Sequence, residues 1–444
     1  MQFVVWLVAC GAAAFMLRRS PTAIAATVLV LWVLIPGVAS HVVTGIPATS
    51  SIGFHPASWF AVMAVGMLAI TRPRALSFEL GRHFWYYLIL ALVSVEVVVL
   101  TRNGEDPAGL VTVVDEVIVP ILLFLVVNAA LTTDDGASRT LRTTLIGVTA
   151  FECVFACVQF AAHSVIVFES SYLTQYWFHP ATWSRWMGTT DHPLNLSLLI
   201  CAATPFLAGM KRPGWTIPLL ALFGVGTLIT QSRTGTIAFV IGALYVLWRV
   251  ALPRWSKVTT IGIALVSAAV VLPATALGAG ILSRIANDTG SSDARASAVQ
   301  FFSTQWQQYV ASGDGLTAGY LVAARGGLIT SFESSVVMYA VGIGILATAF
   351  YFGVQVVIVA RNAWWQSRNR GLLVAPGALL SGVVMLILPQ TYSALASPVL
   401  AGALLWFVMA LVSRPEVDAV VRPDDDEDET DTEDESTEDL VSAW

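Results

Sequence analysis

Arg233 stands in Thr230-Gln231-Ser232-Arg233-Thr234-Gly235, between the apolar runs Trp215–Ile229 and Thr236–Leu247. A guanidinium is always charged and presents a planar fork of donors that matches phosphate oxygens two at a time. The flanking runs are apolar enough to be bilayer helices, so the turn between them lies at one membrane face. A cation at that depth is placed to hold a pyrophosphate attached to a membrane lipid. Arg295, in Ser291-Ser292-Asp293-Ala294-Arg295, is a second candidate for the same work. Glu333 offers different chemistry: it precedes Ser334-Ser335-Val336-Val337-Met338-Tyr339, where a long loop meets the membrane. A carboxylate balanced there between desolvation and a nearby arginine can act as a general base. Plainer readings stand beside these. Each arginine can pair with Asp288, Asp293, Asp314 or a lipid phosphate, and Glu333 in a first helical turn is favoured by the helix dipole alone.

The elements that must position these residues follow from composition. The 444 residues are 56% hydrophobic and 12% charged, and many apolar runs approach the roughly 20 residues that cross a bilayer as a helix. The runs are continuous rather than alternating, which excludes a β-barrel. The expected fold is an all-α polytopic membrane bundle of about 12–13 transmembrane helices with a large extracytoplasmic loop. Thirteen candidate spans start near residues 2, 21, 56, 84, 108, 143, 193, 215, 236, 258, 333, 371 and 397. Arg18 and Arg19 follow the first apolar run rather than preceding it, so that run reads as a first helix and not as a secretory signal.

The net charge of −6 conceals two opposite regions, because 14 of the 29 acidic residues lie in Glu416–Asp439. Without that tail, 22 basic and 15 acidic residues leave a body of about +7. Residues 1–415 are thus the expected membrane body. Residues 416–444 form an acidic cytoplasmic tail that cannot bury apolar area, is expected to be disordered, and offers a surface for cytoplasmic proteins. No nucleic-acid partner is expected. Alternating passage through the spans puts 17 of the 23 basic residues on one side, which the charge rule makes cytoplasmic. The remaining six, Arg102, Arg185, Arg233, Arg284, Arg295 and Arg325, fall on the outer side. Two outer segments are long. The aromatics of 164–192, Tyr172, Tyr176, Trp177, Phe178, Trp183 and Trp186, suit an interfacial anchor or, more sharply, stacking on sugar rings. The larger loop, 280–332, holds Arg284, Arg295 and Arg325 beside Gly313-Asp314-Gly315, with a short helix expected over Val299–Val310.

Glu96, Asp115, Glu116 and Glu152 lie within spans, where carboxylates are costly and count as functional candidates. These acids are expected to pair with one another or to be protonated, pairing being easy for Glu96 and Asp115, and Glu152 is the candidate for proton coupling. His192 opens a helix and could hydrogen-bond an acceptor sugar, or be an ordinary interfacial histidine. Cys10, Cys153, Cys157 and Cys201 fall inside spans and show no disulfide framework or metal spacing.

Four segments in this order resemble the O-antigen ligase and polymerase superfamily of bacterial envelope enzymes. They are Gly188-Thr189-Thr190-Asp191-His192-Pro193-Leu194-Asn195, Gln231-Ser232-Arg233-Thr234-Gly235, the pair Ser291–Arg295 with Gly313-Asp314-Gly315, and Glu333-Ser334-Ser335 ahead of Gly342-Ile343-Gly344. The resemblance implies a glycosyltransferase at the outer face of the bacterial cytoplasmic membrane. It would move a glycan from an undecaprenyl-diphosphate carrier to a glycan or lipid-linked acceptor, with no metal, nucleotide sugar or other cofactor. Arg233 and Arg295 would hold the departing diphosphate and Glu333 would act as base. Gln231, Ser232, Arg284, Arg325, His192, Gly313 and Gly315 would line the substrate. Ligases of the family carry a histidine where this chain has Glu333, which favours a polymerase. The rival expectation is a proton-coupled transporter or lipid-linked glycan flippase using the intramembrane acids. A membrane scaffold recruiting partners through the acidic tail is a third.

Overall fold

The computed structural model describes residues 1–47, 50–102, 109–175, 178–179, 184–210, 213–249, 290–328, 332, 334–368, 376–391 and 398–413. Among these, 82% are helical and none lies in a strand, so the chain is an all-α membrane bundle. Continuous apolar runs leave no other solution, because backbone groups in hydrocarbon must pair within their own segment. The expected span near residue 258 and the acidic tail lie outside the described residues.

The chain begins with α1 (Gln2–Leu17) and α2 (Pro21–Leu34). Ser20 caps α2 by accepting from the Ala23 amide, and Pro21 fills a position that needs no donor. An 83° bend then leads into a segment ending in α3 (Ser40–Thr44). A second bend, of 102°, joins α4 (Pro56–Thr71) to α5 (Pro73–Arg82) at Pro73. The long apolar helices α6 (Phe84–Arg102), α7 (Gly109–Thr133) and α8 (Ala137–Ala162) follow. After the short α9 (Glu169–Tyr172) come α10 (Pro193–Ala203), α11 (Pro213–Thr230) and α12 (Arg233–Arg249). The remainder is α13 (Gly290–Gln305), α14 (Ala318–Arg325), α15 (Ser335–Ile343), α16 (Ile345–Arg368), α17 (Ala378–Ile387) and α18 (Pro398–Ser413). Among the described residues, four helices are long and apolar enough to cross a membrane, or six if each bent pair counts as one. Five shorter apolar helices accompany them.

Helix α18 is apolar on every face and buried on every face, with Leu404, Trp406, Phe407, Val408 and Met409 all fully covered. It packs against α7, and Trp406 Nε1 donates to Tyr351 Oη at 2.8 Å. Helix α7 contains a π-helical segment, Val114–Ile118, that carries Asp115 and Glu116. Asp115 does not pair with Glu96. Its Oδ2 accepts the His55 amide at 2.8 Å, so the carboxylate holds the start of α4. The expectation missed this because His55 precedes the span it anchors.

His55 caps α4 through Nδ1, which accepts the Ala57 amide, while Nε2 donates to Ile35 O at 2.7 Å and the ring stacks on Trp32. Burial lowers its pKa from the ordinary 6.5 to about 4, although the bond to Ile35 opposes the shift. Between those values the unfolded chain binds the proton that the folded chain refuses. Stability contributed by neutral His55 is therefore full above about pH 6.5 and lost as pH falls toward 4. Thermal unfolding from pH 7.5 to 5 should show a steeper loss for the native chain than for His55→Asn, which keeps a capping group without the titration. Parallel pH profiles would sink this account.

Residues 290–332 are not simply a loop. Helix α13 starts at Gly290, well before the expected Val299, and presents Ala298, Phe301 and Phe302 at helical spacing. These pack with Tyr309, Val322, Ala323, Leu328 and Phe332 into a small core separate from the main one. The polar Ser291-Ser292-Asp293 opening disguised the helix. Three of the expected interfacial aromatics, Tyr172, Phe178 and Trp186, are instead buried in the main core. Tyr176, Trp177 and Trp183 lie outside the described residues.

Candidate functional site

The Ser-Arg turn is built by its neighbours. Helix α11 ends at Thr230, and Gln231 takes a left-handed conformation at φ 51°, uncommon without glycine. It is held there by two bonds, its amide to Leu228 O at 3.0 Å and its side-chain Nε2 to Ser184 O at 3.0 Å. Ser232 is 2% exposed, and its Oγ accepts the Gly235 amide at 3.1 Å, capping α12. Gln231 and Ser232 are thus committed to shaping the turn. Arg233, half-buried, is set on the first turn of α12. A Cβ on Gly235 would overlap the Ser197 hydroxyl, so α12 crosses α10 at van der Waals contact.

Arg185 belongs to the same construction. Its Nε donates to Thr230 O at 2.9 Å, a cation on the carboxyl end of α11, and the Trp186 amide donates to Ile229 O at 3.3 Å. The sequence grouped Arg185 with the outer arginines but gave it no role. Its signal was available: it lies two residues before Met187-Gly188, where the first motif begins.

The second missed element is the turn Leu388–Thr391, a single 3₁₀ turn after α17. Arg295 Nη2 donates to Thr391 O at 2.8 Å, Ser335 Oγ donates to Pro389 O at 2.9 Å, and the Val336 amide donates to Gln390 Oε1 at 2.8 Å. Helix α12 touches the same turn. Three segments far apart in the chain, helix α12 and those of Arg295 and Ser334-Ser335, therefore meet on Leu-Pro-Gln-Thr. A proline and glutamine ending an apolar run were the available clue.

The first motif is a packed support. Glu152 is fully buried, and its two oxygens accept Thr189 Oγ1 at 2.6 Å and the Thr189 amide at 2.7 Å. Gln159 exchanges two bonds with Gly188, and Asp191 Oδ1 accepts the Val38 amide at 2.9 Å. His192 is 7% exposed, and its Nδ1 accepts the Leu194 amide at 3.1 Å, which places the ring proton on Nε2. It caps α10. Gly313 and Gly315 lie on the break between α15 and α16, with the Asp314 amide donating to Val341 O at 3.0 Å and Gly315 to Gly342 O at 2.8 Å. Those amides serve packing. The Tyr309 hydroxyl donates to Asp314 at 3.3 Å; burial first, and the Asp314 charge second, push its pKa up to about 12. Arg325 is exposed at the end of α14. Arg284 and Glu333 lie outside the described residues.

These contacts set two ends of the bundle apart. The Leu316 amide donates to Thr101 Oγ1, which joins the glycine loop to the end of α6 at Arg102. The Arg102, Arg185, Arg233, Arg295 and Arg325 segments are thereby linked at one end. At the far end of α12, Tyr245 Oη accepts the Gly377 amide, and Gly209 lies beside Arg142 and Pro376. Among the described residues, no group of three or more His, Cys, Asp or Glu side chains is placed to hold a metal ion. No family model matches the chain, and no curated protein matches it. Geometry and chemistry therefore carry the functional reading: the segments bearing these arginines are joined at one end of an apolar bundle, and a guanidinium fork there suits phosphate oxygens.

Proposed function

We propose that this chain is a membrane glycosyltransferase that extends or transfers lipid-diphosphate-linked glycans at the Arg233 end of the bundle, which the charge rule makes the outer face. The observation that carries the reading is the meeting of the Arg295, Ser335 and α12 segments on Leu388–Thr391. In this reaction the acceptor hydroxyl attacks the anomeric carbon and its proton passes to a base, assigned by position to Glu333. The bond from that carbon to the diphosphate oxygen breaks, its electron pair leaves with the lipid diphosphate, and configuration inverts. Arg233 and Arg295 would stabilise the charge that grows on the leaving oxygen. Polymerisation is favoured over ligation by the carboxylate at position 333.

The two bent helix pairs favour a second reading, a transporter, since broken helices frame many substrate sites. Against it, the Glu152 oxygens are both bound to Thr189, and Asp115 holds the start of α4. The two readings separate in detergent. Purified protein given a lipid-diphosphate-linked oligosaccharide, with chelator present, should release lipid diphosphate and yield a longer or transferred glycan. Absence of release there, with gradient-driven movement of the same lipid across vesicles, would overturn the enzyme assignment.

A further inference from the structure

At the other end of the bundle the 102° bend between α4 and α5 opens a cavity of about 690 Å³. Thr71, Arg72, Arg74, Phe78, Thr132 and Thr133 line it. The two guanidinium groups supply donors, whereas the Thr71, Thr132 and Thr133 hydroxyls already donate to carbonyls of their own helices. Glu79 lies against the Thr132 hydroxyl, and among the described residues Asp134 is the carboxylate that reaches Arg72. That carboxylate is already engaged: Oδ2 accepts the Thr22 hydroxyl at 2.8 Å and the Thr22 amide at 3.2 Å, and Oδ1 accepts Thr133 Oγ1 at 3.2 Å. Arg72 reaches Oδ1 through one nitrogen at 3.4 Å, the longest of these contacts. The Arg74 guanidinium makes no hydrogen bond or ion pair among the described residues. The cavity is thus lined by one guanidinium, that of Arg74, to which the described residues offer no partner.

We propose that this elbow binds the phosphodiester headgroup of one anionic phospholipid. The donors fit phosphate oxygens, and the amino end of α5 opens onto the same cavity and adds positive potential. A lipid fits better than free phosphate because the surroundings are apolar. Phe78 forms part of the wall, and Ile70, Phe84 and Trp85 are exposed on neighbouring turns, where only acyl chains and the membrane interface can cover them. A headgroup that carries its own cation brings no net charge to balance the arginines, so the site selects phosphatidylglycerol over phosphatidylcholine.

Delipidated full-length protein, titrated with phosphatidylglycerol or with phosphatidylcholine of equal chain length, tests this by native mass spectrometry. One phosphatidylglycerol should be retained in preference to phosphatidylcholine. Arg74→Gln should weaken it about fivefold, and Arg72→Gln with Arg74→Gln about twenty-five-fold, the loss expected for one and two interfacial arginines. Arg139→Gln, an exposed arginine near the start of α8 that does not line the cavity, should leave retention unchanged. Because the Arg74 side chain holds nothing in the fold, its variant should melt like the native protein. Equal retention of both lipids would overturn the proposal, and so would equal losses in the Arg74 and Arg139 variants. Displacement by inorganic phosphate at matched concentration would reassign the site to free phosphate.

Discussion

Replacing Arg233 with alanine should slow glycan extension by a factor on the order of 10² to 10³, while the protein accumulates in the membrane at its normal level. That range is what the loss of one preorganised donor to a developing oxyanion produces. The turn should survive the change. Its left-handed residue is Gln231, its cap is Ser232 and its clamp is Arg185, each a contact made by a residue other than Arg233. Arg233→Lys separates charge from shape, since an ammonium restores the charge without the fork; it should recover part of the rate but not all of it. The measurement is polymer length and lipid diphosphate release, each normalised to protein abundance. Normal polymer in Arg233→Ala would remove the main support for the glycosyltransferase reading.

Gly313→Ala should have the largest effect on the fold. A Cβ there would overlap the carbonyl group of Gly342, and backbone has no rotamer with which to move aside. The partner surface is equally tight. A Cβ on Gly342 would lie 3.1 Å from Leu316 Cα, and Gly344, at φ 88°, would meet Ser312 Cα at 3.0 Å. Overpacking of this kind costs about 1–3 kcal/mol or more. Relief requires the Gly313–Gly315 loop to lift from the α15–α16 break, breaking the bonds from Asp314 and Gly315 to Val341 and Gly342. Limited proteolysis should therefore cut within 290–328 in the variant and spare the same region in the native chain. Gly353→Ala is the control: nothing lies within 4 Å of its added Cβ, and in the middle of α16 alanine is the better helix former. Equal resistance of Gly313→Ala and native protein to the protease would show that the loop is not seated as described.

Much of the bundle was legible in the sequence, and the reason is the solvent. Hydrocarbon demands long continuous apolar helices, and among the described residues four helices, or six with the bent pairs, are long and apolar enough to span, fewer than the 12–13 expected. The segment near residue 333 departs from this because Gly344 divides it into α15 and α16, a break that serves the seating of Gly313–Gly315. The site was legible in part. The sequence singled out Arg233 and Arg295 as cations against the charge rule, and this requires only counting. It did not reveal what braces them. Arg185 works through a backbone carbonyl, and Leu388-Pro389-Gln390-Thr391 works largely by offering carbonyls to side chains far away in the chain. Backbone acceptors have no letter in a sequence. The same blindness hid the turn that Gln231 braces and the two helix caps that Ser232 and His192 supply.

Helix α15 has a place in both cores. Tyr339 and Ile343 face the main one, where Tyr339 stacks on Tyr351, and Val341 belongs to the small one, with Val337 and Met338 packed against it. Nine residues thus form a partition between the two cores, with Val336 on its exposed side. Tyr339 joins the small unit to Tyr351, and Tyr351 in turn accepts from Trp406 inside the bundle. The small helical unit thus leans on the aromatic rings of the bundle interior through one short helix.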